Sequence, residues 1–126
     1  MGDHMFVVTG GPGSGKTSLI EAMGRRGFQS MPEAGRAIIQ AQVQIGGTAL
    51  PWADRALYAE LMLSWELRSH QEASTRVAPV LMDRGIPDVI GYLVLSGLPV
   101  PAHMETAAKR DTYNKRVFLA PYWDAI

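Results

Sequence analysis

An α/β fold, with helices on both faces of a mostly parallel sheet, is the architecture this sequence predicts. Two observations carry that expectation. Short apolar runs rich in β-branched residues alternate along the chain with segments of helical spacing. Strands alternating with helices in this way favour right-handed crossovers and a parallel sheet. The size agrees: 126 residues, 47% of them hydrophobic and 19% charged, suit one globular domain that buries roughly two-thirds of its unfolded surface.

Taken in order, Met5 to Thr9 is an apolar run closed by glycines and reads as a buried strand. Lys16 to Met23 follows as a helix. Arg25 and Arg26 then suit the negative end of its dipole, and Gly24 or Gly27 offers a left-handed cap. Gly27 to Met31 is a weaker strand stopped by Pro32. Glu33 to Ile45 has helical spacing (Ala34, Ala37, Ile38, Ala41, Ile45) and stops at Gly46-Gly47. After a loop from Thr48 to Ala53, Asp54 caps a long helix running to Ser74, whose apolar face is read as Leu57, Leu61 and Trp65, with Tyr58 and Met62. Val77 to Met82 is expected to be a strand buried on both faces. Asp88 to Leu95 and Ala102 to Asp111 are helices separated by the breaker Gly97-Leu-Pro-Val-Pro101, and Arg116 to Ala120 is a fourth strand.

In such sheets ligands sit beyond the carboxyl ends of the strands. The segments that leave those ends start at Gly10, Pro32, Asp83 and Pro121. The first is Gly10-Gly-Pro-Gly-Ser-Gly-Lys-Thr17, a full match to G-x-x-x-x-G-K-[ST] lying between a strand and a helix. A loop that wraps phosphate with its backbone amides needs residues without side chains, and the following helix adds free amides and a positive dipole end. The residues expected to hold ATP are Gly11, Pro12, Gly13, Ser14, Gly15, Lys16, Thr17 and Ser18. Lys16 is expected to reach the β- and γ-phosphates and the Thr17 hydroxyl to bind Mg²⁺.

Asp83, closing Val80-Leu-Met82, stands where a Walker B carboxylate would share that Mg²⁺; its alternative role is to cap a turn before Gly85. Arg84 either steadies a phosphate or faces solvent. Glu33 either meets the hydroxyl of a phosphoryl acceptor, as hydrogen-bond partner or base, or simply favours a helix start. Arg36 is a weaker candidate for an anion contact. Asp88 is expected to cap the helix after Pro87. His4, His70 and His103 lack metal-ligand spacing and are expected at the surface or in a tag remnant spanning residues 1–4, while Trp52 and Trp65 read as core or loop anchors.

Several classes are disfavoured. Twelve acidic and twelve basic residues balance, so nucleic acid is not an expected partner. No cysteine is present, which removes disulfides and thiol nucleophiles. Val89 to Val100 is too short and interrupted to span a membrane, no signal peptide is recognisable, and a cytoplasmic location fits. Asn114-Lys-Arg-Val117 lacks the aspartate of a guanine-recognition loop, and Leu95-Ser-Gly-Leu98 is not the transporter signature. The interval from Lys16 to Asp83 leaves room for one strand and two or three helices, the arrangement of the nucleoside- and nucleotide-kinase branch.

Phe6 to Thr17, Met31-Pro-Glu-Ala-Gly-Arg36, Met82-Asp-Arg-Gly-Ile-Pro-Asp88 and Val117 to Trp123 together resemble a small bacterial family of predicted ATPases, or AAA-domain proteins, similar to nicotinamide-riboside and nucleoside kinases. The resemblance implies a kinase-like P-loop NTPase fold, ATP-Mg at Gly10 to Thr17 and Asp83, and acceptor contacts from Glu33 and Arg84. It also implies an arginine-bearing lid and a fifth strand beyond the fourth, so the 126 residues read as a single P-loop domain truncated at its C-terminal side. The leading expectation is a small-molecule kinase with Lys16, Asp83, Glu33 and Arg84 in the chemistry. The alternatives are a nucleotide-dependent switch acting on a protein partner and a non-catalytic ATP-binding domain.

Overall fold

Five helices and four strands follow one another in a computed structural model that describes residues 2–10 and 15–119. The strands are β1 (Met5–Thr9), β2 (Gln29–Met31), β3 (Val80–Asp83) and β4 (Phe118–Leu119); the helices are α1 (Lys16–Arg25), α2 (Ala34–Ile45), α3 (Arg55–Ser74), α4 (Ile86–Leu95) and α5 (Ala102–Arg110). All strand pairs are parallel and the sheet order is β2-β3-β1-β4. Helices flank this sheet, as the sequence predicts for a P-loop NTPase-like fold.

Residue alternation places the core. Met5 and Val7 of β1, Met31 of β2, and Val80 and Met82 of β3 form one cluster with Ala73 at the end of α3, because every second side chain of a strand faces the same way. A second cluster lies among the helices, built from Ala59 and Leu63 of α3, Ile86, Val89 and Leu93 of α4, and Met104 and Ala107 of α5. Central strands β1 and β3 are paired on both sides, and Met5, Val80 and Met82 are fully buried. Such strands are long apolar runs because neither face meets water.

Four expectations need correction. The third strand begins at Val80, not Val77, and Val77 is 97% exposed; an apolar run alone does not show where hydrogen bonding to a neighbour starts. Along α3 the expected Tyr58, Leu61, Met62 and Trp65 do pack with Ala34 and Ile38 of α2, but Leu57 faces solvent, and a second row that the sequence did not single out, Ala59, Leu63, Glu66, Ser69, His70 and Ala73, is buried as well. Both rows have helical spacing, and both are covered, one by α2 and the other by α4, α5 and the sheet. Trp52 is 69% exposed and anchors no core. His70 is interior: its Nε2 donates to the Thr112 carbonyl at 2.7 Å, and its ring meets Tyr113 edge-on at 5.0 Å.

The helix caps follow local chemistry. Asp54 accepts from the Leu57 amide at 3.0 Å, an ordinary N-cap bond. Asp88, in the first turn of α4, accepts from the Gly85 amide at 2.8 Å and from the Thr9 hydroxyl at 2.9 Å, which ties that helix to the end of β1. The N-terminal residues are engaged with the domain: His4 Nε2 donates to the Ala73 carbonyl and Asn114 Nδ2 to the Asp3 carbonyl.

Candidate functional site

The carboxyl ends of β1, β2 and β3 deliver Gly10, Glu33 and Asp83–Arg84 to one edge of the sheet. Their parallel alignment makes this inevitable, since each strand exits on the same side. Gly15 opens α1 with φ of 84° and ψ of 11°, a left-handed conformation that costs glycine little and other residues on the order of 1 kcal/mol. That turn sends the Lys16 side chain back toward the sheet.

Lys16 is 7% exposed, and its Nζ donates to Glu33 Oε2 at 3.0 Å and to Asp83 Oδ1. Arg84 completes the cluster from the other side, with its Nε 3.5 Å from Glu33 Oε2. One Arg84 guanidinium nitrogen donates to the Gly10 carbonyl at 2.7 Å. Its backbone also carries a φ of 68°, unusual outside glycine and a form of local strain found at functional sites. The Arg84 amide donating to the Val8 carbonyl helps hold it there.

Electrostatics follow from this arrangement. Partial burial pushes the Glu33 carboxyl upward, but the hydrogen bond and charge of Lys16, aided by Arg84, outweigh it and hold Glu33 below the ordinary carboxyl range. The four candidates Lys16, Glu33, Asp83 and Arg84 therefore meet as one cluster. Thr17 and Ser18 lie exposed on the first turn of α1, beside Lys16. Gly11, Pro12, Gly13 and Ser14 lie outside the described residues. Arg36 is exposed on α2.

Beside the cluster opens a cleft of ≈ 620 Å³. Its walls come from α2 (Ala34, Gly35), α3 (Tyr58, Met62, Glu66) and α4 (Asp88, Val89, Tyr92). Tyr58 and Tyr92 meet edge-on at 5.5 Å. Gly35 permits this packing, because a Cβ there would stand 2.7 Å from Tyr58 Oη and 3.3 Å from Glu33 Oε1. Burial raises the Tyr58 hydroxyl above its usual range, with Tyr92 and Glu33 adding to the effect.

Sequence reading missed Glu66. It sits mid-helix at a position where spacing alone suggests a solvated face, yet it is 4% exposed and lines the cleft. Burial first, and then the charges of Asp88, Asp83 and Glu33, push its carboxyl up to about 8, with Arg84 opposing. The one available signal was its place three residues beyond Leu63 in a row that proves to be buried.

Comparison with known proteins gives one match. A family model described as "AAA domain" matches residues 5–126, which indicates nucleotide binding and ATPase-type chemistry on a P-loop. No curated protein and no solved structure matches the chain. Among the described residues no helix is long and apolar enough to cross a membrane.

Proposed function

The chain belongs to the AAA-domain family, and from that premise we propose that it is a small-molecule kinase, moving the γ-phosphoryl group of ATP to a hydroxyl-bearing acceptor. The observation that carries this reading is the cleft of ≈ 620 Å³ adjoining the cluster of Lys16, Glu33, Asp83 and Arg84. Hydrolysis alone requires room for one water, whereas this volume is in the range that encloses a small organic molecule.

In this reading the amides of the glycine loop and Lys16 bind the triphosphate, whose oxygens replace Glu33 and Asp83 as partners of the ammonium group. Thr17 and Asp83 would hold Mg²⁺. Among the described residues no group of three His, Cys, Asp or Glu can hold a metal ion. Two oxygen ligands therefore suit a hard cation that binds through substrate phosphates and keeps several waters. Bound there, Mg²⁺ would neutralise charge on the triphosphate. Glu33, still paired with Arg84 once the triphosphate has taken Lys16, accepts the hydrogen bond of the acceptor hydroxyl, orients it for in-line attack and takes its proton as the bond to phosphorus forms. Arg84 braces Glu33 and the Gly10 carbonyl at once, linking the two substrates' sites. Little proton chemistry is demanded, because phosphoryl transfer depends mostly on position and charge.

The test is a screen of nucleosides and vitamins as acceptors with ATP and Mg²⁺, reading phosphorylated product by mass spectrometry. Product on at least one acceptor, reduced 10²-fold or more by Asp83→Asn, is expected. ATP hydrolysis without product on any of them would defeat the reading.

A further inference from the structure

The three carboxyl groups lining the cleft differ in how they are satisfied. Glu33 accepts from Lys16 and lies beside Arg84, and Asp88 accepts from the Thr9 hydroxyl and the Gly85 amide. Glu66, equally part of the lining and more deeply buried, makes no hydrogen bond to any described residue. The Tyr92 hydroxyl lines the same cleft and is likewise buried without a partner. A buried polar group left unpaired costs on the order of 1–3 kcal/mol, and folded proteins carry few of them. The Tyr92 hydroxyl is such a group, and the Glu66 carboxyl in the same cleft has no hydrogen-bond partner among the described residues, so one ligand would serve both.

The charge of the lining narrows what that ligand is. Among the described lining residues Glu33 and Asp88 bring negative charge, and the one cation, Arg84, is already engaged by Glu33 and the Gly10 carbonyl. A phosphate or carboxylate on the acceptor would enter this acidic cleft without a free arginine or lysine among the described lining residues. The remaining surface is apolar and partly aromatic, formed by Tyr58, Met62, Val89 and Tyr92.

We propose that Glu66 and the Tyr92 hydroxyl are the specificity-determining pair for the acceptor, selecting a molecule without phosphate or carboxylate that presents a hydrogen-bond donor to Glu66 and packs an apolar or flat body on the tyrosines. The inference rests on the kinase reading above and names the class of its substrate. Glu66 and Tyr92 act by binding the acceptor; Glu33 and Arg84 line the same cleft and join it to Lys16, which neither Glu66 nor Tyr92 bonds.

The experiment compares nucleosides with their 5′-monophosphates as acceptors for the full chain, ATP and Mg²⁺, in wild type, Glu66→Leu and Tyr92→Phe. Wild type is expected to phosphorylate at least one nucleoside, with kcat/KM at least ten-fold higher than for its monophosphate. Glu66→Leu should raise the acceptor KM ten-fold or more and leave the KM for ATP within two-fold. Tyr92→Phe, which removes a single oxygen and leaves the ring in place, should raise it several-fold. Preference for the monophosphate, or an unchanged acceptor KM in Tyr92→Phe and in a folded Glu66→Leu, overturns this inference while leaving the kinase reading intact. No product on any compound from a chain that binds ATP overturns the kinase reading, and this inference with it.

Discussion

Glu66 shows how one side chain can carry information that its neighbours in sequence conceal. Its folded-state pKa of about 8 lies above the ordinary value of 4.5 because burial and surrounding carboxylates disfavour the charge. The groups that face it are Asp88 on α4, Asp83 at the end of β3, Glu33 before α2, and Arg84, the only one that lowers it. A raised acid pKa means that the folded state prefers the protonated form. The associated stability is fully present below pH 4.5 and is lost as pH rises through about 8. Glu66→Gln, which cannot ionise, is therefore expected to match wild type at pH 5 and to exceed it by roughly 2–4 kcal/mol at pH 9. Urea denaturation at the two pH values checks this. A difference independent of pH would show that Glu66 is solvated or paired in the folded protein.

At the scale of elements, β3 explains why the strand and the site are one problem. Val80, Leu81 and Met82 are buried and Asp83 is the first residue of the strand to reach the edge. Packing of the strand thus sets the height at which the Asp83 carboxyl meets Lys16. Met82→Ala is expected to lower stability by about 2–5 kcal/mol, the usual result of emptying a buried methionine site. Val77→Ala, just outside the strand, should change it by less than about 0.5 kcal/mol. Thermal denaturation of both distinguishes a strand starting at Val80 from one starting at Val77, since equal losses would place Val77 in the core. Helix α3 makes the complementary point. Its cap at Asp54 and the face of Tyr58, Leu61, Met62 and Trp65 were legible, whereas the burial of the second row, Ala59-Leu63-Glu66, was not, because it depends on α4 and the sheet packing on the far side.

For the whole molecule, the relevant quantity is how binding at one edge acts on the stability of the entire fold. The proposed ATP-Mg site joins the start of α1 with the ends of β1 and β3, so occupancy would stabilise the folded chain cooperatively. A ligand at 100 times its Kd adds about 2.7 kcal/mol, equivalent to a rise in Tm of roughly 10 °C for a domain of this size. Differential scanning fluorimetry with saturating ATP and Mg²⁺ is expected to show a shift of that order in wild type, and little or none in Lys16→Ala. An equal shift in both proteins would mean that nucleotide binds elsewhere.

The sequence alone determined the layered parallel architecture, the motif from Gly10 to Thr17, and the exit of the segments after β1, β2 and β3 at one edge of the sheet, while leaving open whether Glu33 and Arg84 face that edge. Each of these depends on local signals: apolar period, glycine placement and the rule that parallel strands release their loops on one side. The tertiary structure alone decided that α3 buries Ala59, Leu63 and Glu66 as well as Tyr58, that α4 lines the cleft, and that Glu66 and the unpartnered Tyr92 hydroxyl lie there. Those facts depend on how helices distant in sequence rotate against one another, and burial, unlike periodicity, is a property of the neighbours as much as of the residue.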